Sequence, residues 1–193
     1  MTEARPHPNL WRSIARLLAV LRALLTAIAP EAFASVSAEA RARLTHLTAL
    51  VRRYIHILAA ETVLPPPRQA KPGLRDTKAR QPRRPFETPF KLIERPAPPS
   101  HRRASNSDGD PPQLQWALLW DAARRLNDVM ADPARHARRL ARYLRKHAAA
   151  PLRDLAVPWP VLRRLGPEAD ALLTHFDRRA RPHAWAGLDP DTS

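Results

Sequence analysis

Between residues 65 and 112, twelve of 48 positions are proline, starting with Pro65-Pro66-Pro67 and ending with Pro111-Pro112. Each proline removes an amide donor and clashes with a preceding helical turn, so neither helix nor central strand tolerates this density. The residues between them are mostly Arg, Lys, Ser and Asp, too polar to offset the entropy of ordering. The sequence therefore predicts a disordered Pro/Arg-rich linker over 65–110, separating an N-terminal block from a C-terminal one. One patch inside it differs. Residues 83–94 place Phe86, Phe90, Leu92 and Ile93 in a polar tether, the composition of a docking segment that folds back onto its own domain or onto another chain.

Outside the linker the abundant residues are Ala, Leu and Arg, all strong helix formers. Aromatic residues make up only 6% of the chain, which argues against a large β core. The expected fold class is all-α: an N-terminal helical hairpin (9–64), a small C-terminal bundle of short helices (111–181) and a flexible tail (182–193).

The clearest periodicity lies at residues 10–28. Leu10, Ile14, Leu17, Leu21, Leu24 and Ile28 recur in steps of four and three, forming one apolar stripe on a helix that Pro30 should end. A second helix is predicted from Ser37, as N-cap, to about Leu64, with Leu44, Leu47, Val51, Tyr54 and Leu58 on one face. Two helices of this size have too little interior to bury both stripes. The hairpin therefore needs cover, which the C-terminal block, a second copy or a membrane surface would supply. The self-association reading assigns that contact to Leu10, Ile14, Leu17, Leu21, Leu24, Ile28, Leu47, Val51, Tyr54 and Leu58.

In the C-terminal block, Asp110-Pro111 and Asp132-Pro133 both read as an N-cap followed by a proline in the first helical turn. The first predicts a helix through Trp116, Trp120, Ala123, Leu126 and Met130. The second predicts one over 134–149. A turn at Pro158-Trp159-Pro160, a short helix over 161–165 and a last helix after Gly166-Pro167 complete the block. His46 and His56 read as edges of the hairpin interface.

The formal charge is +15, distributed as +4, +6 and +5 over the N-terminal block, the linker segment and the C-terminal block. Such a field favours polyanions: nucleic acid, anionic lipid or an acidic protein. Its sharpest expression is the helix over 134–149. At 100° per residue Arg135, Arg138, Arg139, Arg142, Arg145 and Lys146 share one arc, with Ala137, Leu140, Ala141 and Leu144 opposite. No acid interrupts the arc. Neutralisation by Asp121 and Asp128 on the preceding helix is the competing structural reading.

Other chemistries find little support. There is no cysteine, so no disulfide and no thiolate metal site. The four glycines are isolated and build no phosphate-cradling loop, and the eight histidines never stand three or four apart. Asn and Gln, which accompany Arg in base readout, are scarce. Near the N-terminus, Leu17 to Ile28 is apolar and Ala32-Phe33-Ala34 imitates a signal-peptidase site, but Arg22 falls inside the would-be apolar core.

The sequence therefore predicts a cytoplasmic, non-enzymatic interaction protein with no cofactor, no metal and no small-molecule substrate. Its expected partner is nucleic acid held without sequence specificity, with self-association through the hairpin. The alternative is a peripheral membrane protein that lays the helix over 10–28 on an anionic surface.

Overall fold

A computed structural model describes residues 7–65, 111–147 and 157–184, the side chains of Lys146, His147 and residues 181–184 excepted. The linker and its docking residues Phe86, Phe90, Leu92 and Ile93 lie outside the described residues, as does the tail beyond Ala184. The described residues form helices and no strands: α1 (Pro8–Ala27), a 3₁₀ turn (Pro30–Ser35), α2 (Ser37–Glu61), α3 (Pro112–Ala131), α4 (Pro133–His147), α5 (Trp159–Leu165) and α6 (Pro167–Ala184). The chain is all-α.

α2 is the axis of the fold. It packs against α1, α3, α4, α5, α6 and the 3₁₀ turn. Its second half is consequently buried almost all round: Val51, Tyr54, Ile55, Ile57, Leu58 and Ala59 join one continuous core with Leu126 of α3, Leu140 of α4 and Phe176 of α6. The C-terminal helices thus cover the hairpin. Leu10, Ile14, Leu21, Leu47, Val51, Tyr54 and Leu58 are buried in that core, while Leu17 and Leu24 pack against it and Ile28 is half-buried. The apolar stripe proposed for a second copy or for a membrane is filled by the chain's own helices. Exposing it would require the bundle to open.

Polar contacts fix how the two segments meet. The Trp116 indole N–H donates to the Leu25 carbonyl at 3.0 Å, satisfying one of the acceptors that the last turn of α1 leaves open. The Arg41 guanidinium donates to Gln115 Oε1 at 2.6 Å. His7 Nε2 and the Glu61 carboxylate, 2.7 Å apart, tie the start of α1 to the end of α2.

Several boundaries differ locally from the sequence reading. The link after α1 is a 3₁₀ turn that buries Phe33, and its last bond, from the Val36 N–H to the Phe33 carbonyl, leads directly into α2. Ser37 is therefore the first helical residue rather than the cap, and its hydroxyl donates back to the Ala34 carbonyl at 3.1 Å. α3 opens at Pro112 behind Pro111. α5 begins at Trp159, which is largely exposed instead of packed into a turn. α6 continues to Ala184, past Pro182. No helix among the described residues is long and apolar enough to cross a membrane.

Candidate polyanion interface

α4 starts where Asp132 predicts. The Asp132 carboxylate accepts the Arg135 backbone N–H at 3.0 Å, satisfying one open donor of the first turn. Ala137, Leu140 and Ala141 are buried and Leu144 packs against the core, which seats α4 on α2. This seat turns the basic arc outward. Arg135, Arg139 and Arg142 are exposed and Arg138 is half-buried, whereas the Lys146 side chain lies outside the described residues.

Among the described residues no carboxylate pairs with Arg135, Arg138, Arg139 or Arg142. Of the two candidate neutralisers on α3, Asp121 binds Arg124 at 3.0 Å and also Arg125, and Asp128 is exposed and forms no ion pair among the described residues. Arg135–Arg138, Arg135–Arg139, Arg138–Arg142 and Arg139–Arg142 stand three or four residues apart, so their mutual repulsion costs on the order of 1 kcal/mol in total. The Asp132 carboxylate already meets the positive end of the helix dipole, so the unrelieved repulsion is confined to the guanidinium arc, where a bound anion would reduce it.

Arg145 plays a different part from its neighbours. Its guanidinium donates to the Leu64 carbonyl at 2.9 Å and to the Pro65 carbonyl at 2.7 Å, closing the chain that leaves α2. The arc thus divides into four unpaired guanidinium groups and one structural clamp. His136 lies beside them. Burial first, then the charges of Arg135 and Arg139, hold its pKa below the ordinary imidazole value against the opposing pull of Asp132. It therefore stays neutral at pH 7 and adds nothing to the arc.

Two concavities escaped the sequence reading. One, of about 470 Å³, is lined by Leu17, Leu47 and Leu172 together with two cations, Arg43 and Arg164, and two carboxylates, Glu39 and Glu168. At its base the buried His46 ring makes a 3.0 Å hydrogen bond to the Ala169 carbonyl, and burial lowers its pKa. The Arg43 charge is already met by Glu39 at 2.6 Å. The other, of about 130 Å³, lies between α1 and α3 and is lined by Arg22, Trp120, Ala123, Arg124 and Asn127. Its residues come from segments about 100 positions apart, so no local pattern announces it. No group of three or more His, Asp or Glu side chains among the described residues could hold a metal ion.

No protein-family model matches this chain, and neither does any curated protein. No solved structure matches it.

Proposed function

We propose that this chain is a non-enzymatic helical protein of the cytoplasm that binds nucleic acid without sequence specificity through α4. The observation carrying this reading is the unpaired state of Arg135, Arg138, Arg139 and Arg142 on a helix otherwise locked into the core. Arg135 and Arg142 are separated by seven residues, or about 10 Å of helix axis, enough to follow several phosphates of one strand. A rigid helix presenting guanidinium groups neutralises phosphates and releases their counterions, and Arg suits phosphate oxygens through its forked donors.

A chain with a charge of +15 will hold nucleic acid weakly by its overall field, so the decisive experiment concerns location. Binding of the full chain to a labelled duplex is followed by anisotropy across a salt series. Reversing Arg135, Arg139 and Arg142 to Glu should remove binding at salt concentrations where reversing the exposed Arg12, Arg16 and Arg178 to Glu only weakens it. Equal losses in the two triple variants, or no binding of the wild type at low salt, would overturn the proposal.

A further inference from the structure

We infer that the cleft between α1 and α3 is a nucleobase subsite, which makes single-stranded nucleic acid the preferred partner. This inference rests on the polyanion reading of α4 and specifies its ligand.

The cleft combines the three groups that such a ligand requires. The first is a stacking platform. Trp116 and Trp120 lie nearly parallel, 6° between their planes and 5.7 Å between ring centroids. Trp116 is fixed by its hydrogen bond to Leu25 and by its contact with the core, so it backs Trp120 as a rigid support. Trp116 comes from the helical turn before Trp120. Ala123, Arg124 and Asn127, which line the cleft beside Trp120, come from the turns after it. Trp120 lines the cleft and Trp116 does not, so the indole that borders the cleft is the one backed by the stacked Trp116 ring.

The second group is charge. Arg22 reaches the cleft from α1, exposed and without an ion-pair partner among the described residues. Arg124 joins it from α3, held by Asp121 at 3.0 Å with its side chain still 71% exposed. The third is a hydrogen-bonding edge: Asn127 is exposed and has no partner among the described residues. Its amide offers both a donor and an acceptor to the polar edge of a base. A volume of about 130 Å³ matches cavities that admit a single aromatic ring.

An unpaired base stacked on Trp120, its phosphate between Arg22 and Arg124, satisfies all three groups. A duplex cannot present that base without opening. Aromatic platforms beside cationic side chains are a general solution for single strands, because every base has a π-face.

The test compares the full chain's affinity for a single-stranded oligonucleotide with that for a duplex carrying the same number of phosphates. The single strand should bind more tightly. Trp120→Ala should weaken it about tenfold and leave the duplex within about twofold. Since Trp120 also packs on the core, the exposed double variant Arg22→Gln/Asn127→Ala provides a second readout: it removes one charge without reversing it and should lower single-strand affinity more than duplex affinity.

If single-strand affinity is unchanged in the double variant but still falls when the α4 arginines are reversed, the base subsite is wrong and the α4 reading survives. If neither nucleic acid binds the wild type, both are wrong. Competition by a nucleoside monophosphate at concentrations as low as those of the oligonucleotide would assign the cleft to a free nucleotide and overturn the single-strand preference.

Discussion

Arg53 of α2 and Asp177 of α6 form a two-pronged ion pair across 124 positions of sequence, Nε donating to Oδ1 at 2.6 Å and Nη2 donating to Oδ2 at 3.4 Å. Arg53 is 4% exposed. A guanidinium at that depth holds its charge only with partners on several sides, and Nη1 adds the Ala49 carbonyl at 3.4 Å. The pair therefore secures α6 to the axis of the bundle.

Asp177→Ala should destabilise the protein by about 2–3 kcal/mol, below the range for a fully enclosed pair because Asp177 keeps access to water. The loss comes mainly from a stranded buried cation. Replacing both partners, Arg53→Met with Asp177→Leu, should recover much of it. Urea denaturation of the two variants decides this: a double variant less stable than Asp177→Ala by the full cost of a second deletion contradicts the stranded-charge account.

His56 makes stability depend on pH. Burial, then the charges of Arg53 and Arg52, push its pKa down to about 4, and Nε2 has no hydrogen-bond partner among the described residues. In the unfolded chain the same imidazole titrates near 6.5. Between these values the unfolded state binds the extra proton, so stability is complete above about pH 6.5 and falls as the pH drops toward 4. The loss from this residue amounts to roughly 3 kcal/mol over that window. His46, lowered by burial, and His136 act in the same direction. His56→Leu should flatten the dependence of the urea midpoint between pH 6.5 and 4 and leave stability at pH 7 unchanged or slightly raised. A midpoint that still falls as steeply in the variant contradicts the assignment.

Helix positions and the basic arc were legible because they rest on local periodicity. The stripe of α1 predicts Leu10, Ile14 and Leu21 as buried, and they are. It also predicts Leu17 and Leu24, where the fold instead buries Leu18 and Leu25 and leaves Leu17 and Leu24 half-buried. α1 lies against both α2 and α3, so it presents two adjacent rows rather than one. In α2, Arg53 resembles a surface residue and His56 only an interface edge for the same reason: nothing nearby in sequence announces Asp177, or the five helices that enclose this one. The Trp120 cleft depends on Arg22 meeting α3, a relation that only topology supplies.

Gly166 turns the chain between α5 and α6 at φ 86° and ψ 177°, a conformation essentially confined to glycine. Its N–H donates to the Leu162 carbonyl at 3.0 Å and closes α5. A Cβ built there meets no atom within 4 Å. Gly166→Ala therefore isolates backbone strain from packing. It should lower stability by about 1–3 kcal/mol, whereas the same substitution at a glycine with negative φ is neutral or stabilising. A thermal midpoint unchanged by the substitution contradicts this backbone geometry.

Folding and binding meet in α4, where residues a few positions apart should fail in different ways. Arg139→Gln removes an exposed, unpaired charge. It should leave the urea midpoint unchanged and reduce the slope of log affinity against log salt by about 0.9 for a duplex. Arg145→Gln removes the clamp on the Leu64 and Pro65 carbonyls, so it should cost about 1 kcal/mol of stability and change the slope less. Leu140→Ala touches no charge but removes a side chain that is 1% exposed, at a cost of about 2–5 kcal/mol. If the core is what holds the guanidinium groups in one plane, this variant should lose affinity at temperatures where α4 frays, although every arginine is present. Stability and salt slope measured together separate the three. An Arg145 variant that lowers the slope as much as Arg139→Gln, with no loss of stability, would show that the clamp is absent in solution and that Arg145 belongs to the binding face.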